Sequence, residues 1–230
     1  MIAANGRRLT WEGCVNARDL GGLRTADGGE TRWRAVVRSG ALDGLTAAGW
    51  AALEAHGVRT VIDLRNEDER RPDLAPRPAA LTTLHVPYDS SDDAEFWDRW
   101  ATGPQFGTPL YYRPFLDRFP DRTARVMTTI ARAGPGGVLF HCARGRDRAG
   151  LVTILLLALA GVAADDIAAD YALSADPLEG PAIAAYLASA GTSTHEIIVS
   201  LVMSLDVEAY LRAAGLTDAE LTALKGRLGT

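Results

Sequence analysis

Nucleophilic thiol chemistry needs a sulfur that can ionise and a cationic surround that favours the ionised form. One stretch of this chain supplies both. Residues 138 to 159 read VLFHCARGRDRAGLVTILLLAL: a short apolar run, then His141 and Cys142, a loop rich in arginine, and a long apolar run. A buried strand that ends in such a loop and re-enters helix at once converges backbone N–H groups and the positive end of the helix on one point. That point should bind an anion.

A phosphate monoester is a dianion, so a second anion attacks it productively only where fixed positive charge and aimed donors hold its oxygens. Arg148 is the residue type for that grip, because its planar fork matches two oxygens at once. The backbone of Ala143, Arg144, Gly145 and Arg146 would form the rest of the cradle, with Gly145 allowing a tight turn. The same field favours a Cys142 thiolate, making Cys142 the nucleophile and a phosphocysteine the intermediate. Taken alone, a cysteine at a strand end reads equally well as a core thiol; its spacing to Gly145 and Arg148 sets it apart. A sulfurtransferase also uses a cysteine loop, but it has no need of an arginine grip at this offset. For His141, support of the Cys142 region, a base and a ligand role are the readings open. The leaving oxygen needs a proton, and Asp147, Asp63 and Asp89 are the candidate donors. Asp147 reads equally as a brace for the loop arginines, and Asp63 as an anchor for Arg65 or Asn16.

Cys142, five residues, then Arg148 resembles the signature of the cysteine-dependent phosphatase superfamily. HCARGRDRAG resembles more narrowly its bacterial tyrosine phosphatase branch. NARDLGG at 16–22, RSGAL at 38–42, VIDLRNEDE at 61–69 and GVAADDIAADYALS at 161–174 resemble further pieces of that branch in the same order. The resemblance implies a tyrosine-phosphatase-like α/β fold and phosphomonoester hydrolysis without metal or cofactor. The substrate would be a phosphorylated protein or a small phosphomonoester. Three departures stand out. Ala149 occupies a place where the family has Thr or Ser, whose hydroxyl steadies the departing thiolate. Arg146 replaces Lys, and Ala17 replaces a larger residue, which would open one wall of the pocket. A nucleotide, a sugar phosphate or another biosynthetic phosphate ester therefore competes with phosphotyrosine. A phosphate-binding module with little catalysis is the reading from a different class.

The elements that must position these groups follow from pattern. Short runs broken by glycines between Leu9 and Arg38 suit hairpins or edge strands, with Arg18 near the phosphate rim and Asp19 in a turn. Ala35–Arg38, Val58–Leu64, Leu81–Val86 and Val138–Phe140 read as strands, and Thr46 caps a helix that Gly57 ends. Asp89, Asp92 and Asp93 precede Phe96, Trp97 and Trp100 and read first as exposed acidic residues at a helix cap, otherwise as part of a lid or a wall for a substrate ring; Ser90 and Ser91 are further cap candidates. A long helix is expected over Tyr111–Ala133, disturbed by Pro114 and Pro120. Everything beyond Leu151 reads as helix: Asp165 to Ser174, one from Asp176–Pro177, one from Thr194 or His195 to Leu211, and a last one opened by the capping-box spacing Thr217–Glu220. The expected architecture is a single α/β domain over 1–230, a mixed or mostly parallel sheet flanked by helices, with 175–230 a helical lid or packing extension.

Composition limits the alternatives. The chain has 230 residues, 47% hydrophobic and 23% charged, with a formal charge of -5, which is enough for a sizeable core and argues against disorder or a nucleic-acid polymer as partner. Its basic residues are arginines except Lys225. Two cysteines far apart do not suggest a disulfide-stapled module, so a cytoplasmic protein is expected. No secretory leader is visible at the start, the longest apolar run, Ala149–Val162, is below spanning length, and no membrane partner is expected. The sequence gives no oligomeric state.

Overall fold

The computed structural model describes residues 6–90, 92–174 and 180–229. Five strands form one sheet: β1 (Arg18–Asp19), β2 (Val36–Ser39), β3 (Val58–Asp63), β4 (Thr82–His85) and β5 (Gly137–His141), in the order β1-β2-β5-β3-β4. β1 pairs antiparallel with β2, and every other pairing is parallel. The central strands are buried on both faces and so are nearly continuous in Val, Leu, Ile and Phe, as parallel strands covered by helices must be. Alternation sorts their side chains. Val138, Phe140 and Ile62 enter the larger core, whereas Leu139, Val37 and Val61 enter a smaller one with Trp50 and Leu53.

Trp50 and Leu53 belong to α1 (Ala47–Ala55), which Thr46 caps through a hydrogen bond from the Gly49 amide and which packs on β3. The larger face carries α2 (Ala94–Trp100), α3 (Tyr112–Arg118), α4 (Pro120–Ala131), α5 (Asp147–Leu159), α6 (Ala164–Ala172), α8 (Thr194–Ser204), α9 (Val207–Ala213) and α10 (Asp218–Leu228); α7 (Gly180–Ser189) lies between α6 and α8 in the chain. α5 is apolar on almost every side and lies at the centre of this layer, packed by β2, β5, α4, α6, α8, α9 and α10. No helix among the described residues is long and apolar enough to cross a membrane.

Several boundaries differ from expectation. Asp93, not Ser90, caps α2 by accepting from the Phe96 amide; Ser91 lies outside the described residues. The expected helix over Tyr111–Ala133 is two helices, because Pro120 displaces Phe119 from helical geometry. The helix expected from Thr194 to Leu211 likewise breaks at Leu205, and Asp206 caps the new helix by accepting from the Ala209 amide. The start expected at Asp176–Pro177 falls outside the described residues. Phe96, Trp97 and Trp100 do not form a lid: Phe96 packs edge-on against Phe115 and Phe119, Trp97 edge-on against Tyr111, and Trp100 lies tilted on Phe96. Ala17 packs within the smaller core, where it forms no pocket wall. Ile198 and Leu201 of α8 are core residues.

Candidate active site

In a parallel sheet the strand ends bearing C-terminal loops share one edge, and ligands bind there. Ser39, His141, Asp63 and His85 stand in register at that edge. The chain leaves β5 through Cys142 and residues 143–146, β3 through Arg65 to Glu69, and β4 through Val86 to Asp89.

The cysteine loop is shaped by what its carbonyls do. The Ala143 carbonyl accepts from the Ala41 amide at 3.0 Å and the Arg144 carbonyl from Asn16 Nδ2 at 3.1 Å. Arg38 Nη2 donates to the Gly145 carbonyl at 2.5 Å and to the Arg146 carbonyl at 3.3 Å. Four successive carbonyls are thus held on the outer side. Because a trans peptide points its N–H opposite to its C=O, the amides of Arg144, Gly145, Arg146 and Asp147 turn inward, beside the first turn of α5. Gly145 has φ +71°, and a Cβ there would stand 2.6 Å from Gly40 N and from the Ser39 carbonyl. Only glycine fits.

Cys142 is buried at the start of this loop and is a free thiol. His141 is fully buried, with Nδ1 3.4 Å from the Cys142 carbonyl and Nε2 3.8 Å from Asp63 Oδ1. Burial drives its pKa down to about 4, against the pull of Asp63, so the ring is neutral and supports the strand end.

Arg148 stands in the first turn of α5. Its Nη2 donates to Glu69 Oε1 at 2.6 Å, its Nη1 bonds Glu69 Oε2, and Nη1 lies 3.1 Å from Asp89 Oδ1. Burial opposes its charge, but Glu69, Asp89 and Cys142 more than offset that and hold its pKa above the ordinary value. Glu69 is fixed in turn by a capping box, in which Oε2 accepts from the Asn66 amide at 2.9 Å. Asp89 is the group whose environment suits a proton donor. Burial, which outweighs the attraction of Arg148 and is reinforced by Glu69 and Asp147, lifts its pKa to about 6. Its side chain is 20% accessible, so the carboxyl is enclosed by protein yet open on one side.

The other candidates are placed differently. Asp147 Oδ1 accepts from Tyr112 Oη at 3.1 Å, and Arg146 Nε lies 3.3 Å from Oδ2; Tyr112 in turn pairs with Tyr171 at 2.7 Å. These contacts hold Asp147 as an acceptor bracing the loop. Arg146 also donates to the Gly107 carbonyl at 3.1 Å, and the Arg144 side chain is exposed. Asp63 is occupied by Arg65, at 3.0 Å from both Nε and Nη2, and the arginine holds its pKa low against burial. It anchors Arg65, with no bond to Asn16 among the described contacts.

Arg18 is not at a phosphate rim. It is buried and gives Nε at 3.1 Å and Nη2 at 3.2 Å to Asp170, and Nη2 at 2.6 Å to Ser174 Oγ. Asp19 is fully buried at the end of β1, not in a turn, and there it accepts from the amides of Gly21 and Arg34 and contacts His56 Nε2 at 2.8 Å. Both support the fold around the loop and do not line the cradle.

Reading by residue type missed Glu69, Arg38, Asn16 and Asp170 as parts of the site. Asn66-x-x-Glu69 has capping spacing, which was the available signal for Glu69. Arg38 ends an apolar strand, where a cation needs a buried partner, and Asp170 supplies one from an otherwise apolar helix face. Among the described residues no group of three or more His, Cys, Asp and Glu is arranged to hold a metal ion.

The profile of the tyrosine phosphatase family matches residues 9–230. A tyrosine-protein phosphatase of Nostoc commune is 31% identical over 219 residues, covering 85% of this chain and 74% of that protein. A candidate tyrosine-protein phosphatase of Cupriavidus necator is 34% identical over 169 residues, 71% of this chain, which spans 61% of that protein's length. The triple specificity protein phosphatase PtpB of Mycobacterium tuberculosis is 31% identical over 193 residues, covering 71% of this chain and 68% of its own.

Proposed function

From the premise that this chain belongs to the tyrosine phosphatase family, we propose that it is a metal-independent, cysteine-dependent phosphomonoester hydrolase acting on phosphotyrosine-type esters. The observation that carries the reading is the cysteine loop, whose four outward-held carbonyls turn their partner amides toward one point flanked by Cys142 and Arg148. The ester dianion enters this nest, and Arg148 grips two of its oxygens. The Cys142 thiolate attacks phosphorus in line, an S–P bond forms as the P–O bond breaks, and Asp89 gives its proton to the departing oxygen. Water then attacks the phosphocysteine and passes a proton to the Asp89 carboxylate. The P–S bond breaks, orthophosphate leaves, and the thiolate is restored.

Glu69 holds the Arg148 fork in place, while Asp147 braces the loop through Tyr112 and Arg146. Two relatives carry the name tyrosine-protein phosphatase, which supports a phosphorylated protein as substrate. Two free thiols suit a reducing compartment, and we place the enzyme in the cytoplasm. Turnover of an aryl phosphate in the presence of a chelator tests the assignment. Wild type should hydrolyse the ester, and Cys142→Ser should lose turnover while still binding phosphate. Turnover retained in Cys142→Ser would exclude this cysteine as nucleophile.

A further inference from the structure

Asp170 of α6 is almost fully buried and meets three buried guanidiniums: Arg7 Nη1 at 2.8 Å, Arg18 Nε at 3.1 Å and Arg38 Nη1 at 3.3 Å. One carboxylate cannot neutralise three cations, so positive charge remains enclosed here. Enclosing it is costly unless something else uses it. Of the three, Arg38 reaches the cysteine loop, where its second nitrogen holds the Gly145 and Arg146 carbonyls.

Building on the phosphatase reading, we infer that Arg38 is a positioning residue for the reaction. Anchored by Asp170, its fork keeps the Gly145–Arg146–Asp147 peptides turned so that their amides face the transferring phosphoryl group and the Cys142 sulfur. The geometry requires a planar fork. One nitrogen faces the Asp170 carboxylate and another faces two successive carbonyls, which a single ammonium cannot span. Burial pulls the Arg38 pKa down to about 10 and Arg18 adds to that, while Asp170 and Cys142 work in the opposite direction. Gly150 completes the fit. A Cβ there would stand 3.3 Å from Arg38 Nη2 and 2.8 Å from the Tyr171 ring, so the α5 backbone packs directly on the arginine.

The test compares Arg38→Lys with Arg7→Lys. Both remove a buried guanidinium from the same carboxylate, but Arg7 makes no contact with the cysteine loop among the described residues. Each variant is checked for folding by circular dichroism and thermal unfolding. The readouts are kcat and KM on an aryl phosphate, and the pH midpoint for alkylation of Cys142 by iodoacetate. Alkylation is followed by peptide mass spectrometry because Cys14 is a second thiol, with its pKa lifted by burial to about 11.

Arg38→Lys should lower kcat on the order of 10-fold or more and raise the alkylation midpoint of Cys142. Arg7→Lys should lower the unfolding temperature and leave kcat and the midpoint near wild type. A folded Arg38→Lys with wild-type kcat and midpoint overturns the inference. So does Arg7→Lys matching Arg38→Lys in every readout, since that would mark a purely structural cluster. If Arg38→Lys does not fold, Gly150→Ala, which crowds the same nitrogen, is read in its place, and an unchanged midpoint there also overturns it. Failure of the phosphatase reading is seen separately, as an inactive wild type or an active Cys142→Ser.

Discussion

At the scale of single residues the proposed reaction divides between groups that carry charge and one that carries a proton. Asp89 can donate only while protonated, and its pKa of about 6 means that the donor is lost as pH rises through that value. On esters with poor leaving groups, kcat/KM should therefore fall on the alkaline side of about pH 6. Asp89→Asn should abolish that limb and lower kcat on the order of 10²- to 10⁴-fold, with much less effect on an activated nitrophenyl ester. A wild-type pH profile in Asp89→Asn, or the same leaving-group dependence transferred to Asp147→Asn, would reassign the acid. Ala149 makes the second kinetic prediction. Without a hydroxyl to steady the departing thiolate, phosphocysteine breakdown should limit turnover and give a burst in rapid-quench traces, and Ala149→Ser should shrink it. A linear trace with no phosphoenzyme refutes this. The proposed nucleophile and cationic grip were legible in the sequence because their spacing is local. The proposed acid was not: Asp63 finds its partner Arg65 two residues away, but Asp147 and Asp89 are told apart only by partners distant in the chain, Tyr112 and Arg148.

At the scale of elements, the cradle exists because β2 and β5 run side by side and place Ser39 and Gly40 against the turn of the cysteine loop. A methyl group at Gly145 would collide with backbone at 2.6 Å and demand a positive φ, so the loop must shift. Gly145→Ala should cost on the order of 10²-fold in kcat/KM, the usual penalty for about 1 Å of misplacement, with secondary structure retained in circular dichroism. Full activity would mean that the loop geometry is not limiting. Strands and caps with strong local signals were readable: Thr46, Thr217 and the apolar run into Cys142 all stand where their chemistry puts them. Helix breaks were less so. Pro120 showed where a disturbance would fall but not that the chain would start a new helix. The break at Leu205 depends on the Asp206 cap, a signal hidden inside an apolar stretch. The aromatic cluster of α2 looked like a ligand surface in sequence because its partners, Tyr111, Phe115 and Phe119, come from a later segment.

Over the whole molecule, function is bought with buried charge, which makes stability depend on pH. His141 is neutral in the fold, with a pKa of about 4 against an ordinary 6.5. Its contribution is fully present above about pH 6.5 and is lost as pH falls through 4, by up to roughly 3 kcal/mol. Asp89 acts in the opposite sense. Its raised pKa adds relative stability as pH falls below about 6. Urea unfolding of wild type and His141→Gln between pH 7 and pH 4 separates the two: the variant should lose the acid-side decline that the histidine causes. Parallel curves would show that His141 is not held neutral.

All of this serves one sulfur, and the most direct measurement is to find where the phosphoryl group goes. Enzyme mixed with an aryl phosphate, quenched in denaturant within the first turnover and mapped by peptide mass spectrometry, should carry phosphate on Cys142. Phosphate on any other residue, or steady turnover with Cys142 never modified, would contradict the account.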